Sequence, residues 1–163
     1  MHMFQEVRLK LKIFTLCKHD AHSTLDIMEC MANSDNVIRA GLTPKLRDIP
    51  NLVSGLTYAA SLPSKHVVNP TPYHNSTNTT LYDPPVPEFS VLRVKVEPGC
   101  SEPHPAVGGP SIAIVTEGTG TVKWGSGQGS LELYKGLAFF IGQGAEVQFK
   151  AVERLVVFRA FCS

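Results

Sequence analysis

The chain has 163 residues, a formal net charge of +1, 43% hydrophobic residues and 18% charged residues. That length suits one domain, or one domain plus a fragment, with enough apolar sequence to bury a core. Near-neutral charge argues against a general nucleic-acid surface, which needs clustered Lys and Arg, and no apolar stretch approaches the roughly eighteen residues of a membrane span.

In chain order, Val7–Ile13 alternates apolar and basic residues with period two, a strand pattern with one wet face. The apolar run Ile13–Cys17 is too short for a secretory signal, so the expected compartment is the cytoplasm. Leu25–Met31 is a short mixed run that fits a strand. Ser34–Lys45 then reads SDNVIRAGLTPK. Arg39 sits there among small residues, with Gly41 and Pro44 turning the backbone behind it. A guanidinium is always charged, and its planar fork suits an oxyanion or a phosphate. A surface ion pair beside a turn is the other reading of Arg39, and a solvated surface lysine the other reading of Lys45. Asp48 as cap and Pro50 in the first turn predict a helix of about two turns, weakened by Gly55. The stretch 61–88 is rich in Pro, Ser, Asn and Thr and reads as a linker or long surface loop.

From Phe89 the pattern changes. Apolar or alternating runs at 91–96, 111–117, 121–124, 131–134, 138–141, 146–149 and 155–158 are separated by glycine turns. About seven short strands at this spacing predict a sandwich or small barrel. Gly118-Thr119-Gly120 reads as a tight hairpin. Gly118, Gly120, Gly136 and Gly144 read as turn glycines with positive φ. His104, followed by Pro105, reads as a loop histidine rather than a metal ligand. The cysteines at 17, 30, 100 and 162 have no CxxC spacing, which favours reduced thiols.

Glu29–Ala32 with Ser34–Lys45, then Tyr82–Phe89, then Val157–Ala160 resemble, in the same order, the signature blocks of type I phosphomannose isomerases. The resemblance runs from about Asp26 to Ser163 and does not extend to residues 1–25. The strand, glycine hairpin, strand, Leu-x-x-Gly-x-x-x-Phe-Ile-x-x-Gly order also resembles a cupin jelly roll. It implies a mainly β chain: an unmatched segment 1–25, a remnant of a catalytic cupin over 26–60 with a short helix, a linker 61–88, and a cupin-like barrel over 89–163.

The resemblance further implies a zinc-dependent aldose–ketose isomerisation of mannose 6-phosphate to fructose 6-phosphate, feeding GDP-mannose formation. It places Arg39 at the catalytic arginine and Lys45 at the sugar-phosphate end of the cleft. The family's zinc ligands are a glutamine, two histidines and a glutamate, and three of them lie upstream of any matched sequence here. His22, in Ala21-His22-Ser23, stands near the place of the fourth, a little closer to Glu29 than in the family pattern and without the family's tyrosine. One imidazole holds zinc poorly. The expectation is therefore that zinc is not retained and that this chain alone is inactive or weak. The rival reading is a non-enzymatic cupin module that binds a sugar phosphate or a protein partner, self-associating through an exposed domain interface.

Overall fold

The computed structural model describes residues 28, 30, 47–56, 62, 65 and 67–162. The chain divides into two compact units, Met1–Val67 and Val68–Ser163. In the first, helix α1 spans Ile49–Ser54. The Asp48 carboxylate accepts from the Asn51 backbone N–H at 3.2 Å and from its side-chain amide at 2.6 Å, and a proline occupies the first turn. The cap satisfies a donor that the helix cannot, and the proline lacks a donor where one would be wasted. The chain leaves the helix at Gly55.

The second unit is all antiparallel β. Its strands are β1 (Thr71–Pro72), β2 (Thr79–Tyr82), β3 (Ser90–Val96), β4 (Ser101–His104), β5 (Ser111–Glu117), β6 (Thr119–Trp124), β7 (Gly129–Tyr134), β8 (Ala138–Ile141), β9 (Val147–Ala151) and β10 (Leu155–Phe161). One sheet has the order β1-β2-β3-β10-β5-β8, the other β4-β9-β6-β7. From β3 onward the chain passes back and forth between the two sheets, as in a jelly roll. The mainly β, jelly-roll expectation holds.

Side-chain alternation explains the packing. Strand β9 reads buried, exposed, buried, exposed, buried, with Val147, Phe149 and Ala151 inward. Val94, Val96, Ala113, Val115, Ile141, Leu155 and Val157 from the first sheet meet Val122, Leu133, Val147, Phe149 and Ala151 from the second. Each large side chain so buried contributes about 1.5–3 kcal/mol. Strand β10, at the centre of the larger sheet, is buried on both faces from Leu155 to Arg159.

Several local expectations change. Gly118 does not open a hairpin, because β5 and β6 belong to different sheets. It is a corner at φ +77°, so close to β10 that an added Cβ would lie 1.9 Å from the Arg154 carbonyl oxygen. Gly120 is not a positive-φ turn residue. It lies within β6 opposite Ala151, and its missing side chain admits the Lys150 carbonyl, 2.3 Å from where a Cβ would stand. Gly136 and Gly144 do have positive φ. The true hairpin joins β6 to β7 through a 3-10 turn at Gly125–Gly127. The stretch 61–88 contains two short strands, β1 and β2, the second paired along β3. Among the described residues no helix is long and apolar enough to cross a membrane.

Candidate functional site

Strand β4 brings chemistry into the barrel. Its pattern is exposed, buried, exposed, buried, so Glu102 and His104 both face inward while Pro103 faces out. Proline is tolerated because β4 is an edge strand, with β9 its one neighbour. His104 is therefore not the loop histidine expected from its prolines. It is a strand residue only 2% exposed, packed edge-on against Phe149 at 5.1 Å between ring centres.

Three further elements converge on the pair. Thr79 of β2 donates its hydroxyl proton to Glu102 Oε1 at 2.8 Å and lies 3.1 Å from His104 Nε2. With that proton committed to the carboxylate, the histidine must donate, which fixes hydrogen on Nε2. Nδ1 is then an acceptor and faces Arg159 Nη1 at 3.4 Å. Arg159, from β10 in the opposite sheet, is fully buried, and its Nε donates to Ser111 Oγ at 3.0 Å. The remaining Glu102 partners come from the β1–β2 loop: Asn78 Nδ2 donates to Oε2 at 3.0 Å and the Ser76 hydroxyl to Oε1. The Ser76 oxygen in turn accepts from the backbone N–H groups of Asn78 and Thr79 at 3.0 and 3.1 Å. A continuous chain of hydrogen bonds thus runs from a buried cation to a buried carboxylate.

The electrostatics follow. Burial, then the Arg159 charge, pull the His104 pKa down to about 4, against the opposing pull of Glu102. The ring is neutral at pH 7. For Glu102, burial favours the protonated form, but hydrogen bonds from Ser76, Asn78 and Thr79 outweigh it and hold the pKa below the ordinary value. Burial lowers the pKa of Arg159 as well, from a starting value so high that its charge is kept. Among the described residues the ion pairs are Lys95–Glu97 and Arg154–Glu117, both exposed, so no carboxylate directly pairs with Arg159. Its Nη2 has no hydrogen-bond partner.

These residues do not fit a zinc ion. Both Glu102 oxygens and both His104 nitrogens are already engaged, and no group of three or more His, Cys, Asp or Glu is placed to hold a metal among the described residues. The same saturation keeps Glu102 and His104 from acting as a free acid and base. Beside them opens a groove of about 1070 Å³, walled by the loop 73–78, the outer end of β4 and the β6–β7 hairpin.

The sequence-predicted site residues Arg39, Lys45 and His22 lie outside the described residues. Sequence reasoning missed the cluster that the barrel does build. Glu102 and His104 carry a signal, two polar residues with strand spacing, but Pro103 between them hid the strand. Arg159 carries a weaker one, a charge ending the apolar run Leu155–Phe158.

Residues 80–127 match the family described as phosphomannose isomerase type I C-terminal. The chain is 50% identical over 137 residues to a mannose-6-phosphate isomerase of Cryptococcus neoformans, an overlap covering 83% of this chain and 31% of the relative. It is 41% identical over 146 residues to one of Schizosaccharomyces pombe, covering 87% and 35%. It is 38% identical over 140 residues to one of Bos taurus, covering 84% and 33%. The chain thus spans about a third of the length of these curated relatives. A cupin-2 domain protein from Shewanella frigidimarina superposes on 46% of this chain and 71% of its own, at 22% identity and a TM-score of 0.38. That overlap is too partial to add to the strand order itself. Residues 80–127 thus carry the C-terminal domain of type I phosphomannose isomerases, and most of this chain is similar to proteins named mannose-6-phosphate isomerase.

Proposed function

We propose that this chain is the C-terminal part of an isomerase that interconverts mannose 6-phosphate and fructose 6-phosphate in the cytoplasm with zinc, supplying GDP-mannose formation, and that on its own it turns over weakly or not at all. The supporting observation is the 50% identity over 137 residues to a protein named mannose-6-phosphate isomerase. Aldose–ketose interconversion by proton transfer builds negative charge on an enediolate. Arg39, with a charge that no pH removes, suits that oxyanion, and Lys45 suits the phosphate as a compact point charge. Among the described residues the barrel's buried acid–imidazole pair, Glu102 and His104, is saturated and offers no free acid or base for that proton transfer.

The test is an isomerase assay on the purified chain with added zinc. Turnover at or near background is expected. Robust turnover that Arg39→Ala abolishes would show that the chain carries a complete active site.

A further inference from the structure

The groove at the mouth of the barrel takes no part in the isomerase reading. Its walls are the loop from Tyr73 to Asn78 and the hairpin turn Gly125–Gly127. The non-glycine residues with positive φ among those described, His74 at 46°, Asn75 at 59° and Ser126 at 55°, all stand on these two walls. Such conformations cost free energy and gather where a backbone is shaped for a ligand. The loop is also pinned from below, because Ser76, Asn78 and Thr79 all bond Glu102. One wall is therefore formed before anything binds, which lowers the ordering cost of binding.

Trp124 stands on the other wall, at the end of β6, and is 44% exposed. Gly129 explains its position: a Cβ there would lie 2.2 Å from the indole ring. The ring rests on bare backbone and still lines the groove. Around it are the uncharged hydrogen-bonding residues Asn75, Ser126 and Gln148, while Lys123, Glu146 and the hydrogen-bonded Glu102 are the acidic and basic residues of the lining, apart from histidines. Two carboxylates against one lysine give no field that draws an anion. A half-exposed aromatic face beside amides and a hydroxyl suits a molecule with flat C–H faces and a hydroxyl rim. We propose that this groove binds the pyranose ring of a neutral sugar, with Trp124 as its stacking platform.

Trp124 is the chain's single tryptophan, so tryptophan-selective fluorescence reads this groove alone, without reference to turnover. The full chain is titrated with D-mannose, D-glucose, mannose 6-phosphate and inorganic phosphate. A saturable change in the millimolar range is expected with the neutral sugars, and the phosphate ester is expected within about threefold of mannose. Asn75→Gly and Ser126→Gly keep the backbone comfortable at positive φ while removing an amide or a hydroxyl. Each is expected to weaken sugar binding about threefold to tenfold. Three outcomes would overturn the proposal. One is no saturable change with either neutral sugar. Another is a response to inorganic phosphate alone that Lys123→Ala removes, which marks an anion site. The third is sugar binding that neither glycine variant weakens.

Discussion

Arg159 and Glu102 sit at the two ends of one buried chain of hydrogen bonds, with neutral His104 and Thr79 between them. The arrangement needs His104 unprotonated, because only a bare Nδ1 can accept from Arg159. Its pKa is about 4 in the folded chain, against 6.5 for the unperturbed residue. Between those values the unfolded chain binds more protons, so stability falls as pH drops through that window. The Glu102 shift has the same sign: its stabilisation is present above the ordinary carboxylate value and is lost as pH falls through the lowered one. Urea unfolding is therefore expected to show a free energy about 2 kcal/mol lower at pH 5 than at pH 7 from His104 alone. His104→Gln should flatten that slope. A slope unchanged in the variant would remove His104 from the account.

At the scale of elements, the strands with clean alternation or glycine punctuation were legible in sequence: β3 and β5 through β10, and the capped helix α1. What sequence hid is instructive. Strand β4 contains Pro103, and only its place at a sheet edge makes that residue acceptable. Strands β1 and β2 lie in a Pro- and Asn-rich stretch, and β2 owes its existence to pairing with β3, a long-range partner that local pattern does not announce. Gly118 looked like half of a hairpin because a corner between sheets and a turn within one make the same demand on φ. The difference is measurable. Gly118→Ala brings a Cβ to 1.9 Å from a backbone oxygen, whereas Gly144, at φ +72°, has nothing within 4 Å of its Cβ position. Gly144→Ala should cost about 1 kcal/mol from backbone strain alone, and Gly118→Ala about 2–4 kcal/mol in urea unfolding. Equal costs would show that the corner is not close-packed.

For the molecule as a whole, the barrel and the proposed catalytic residues belong to different parts of the sequence. The barrel joins its buried ionisable groups, Glu102, His104 and Arg159, in one hydrogen-bonded network in its interior. Arg39 and Lys45 fall in the block that resembles the isomerase cleft, and family resemblance alone made them legible, since composition and spacing left both open to surface roles. The polar residues of the barrel were harder to read, because their role depends on a register that brings Glu102 and His104 opposite Phe149 and Val147. The central proposal is that this chain by itself does not hold zinc. The direct measurement is zinc content of the purified full chain after dialysis against a weak chelator. Far less than one zinc per molecule is expected, and one tightly held equivalent would contradict the proposal.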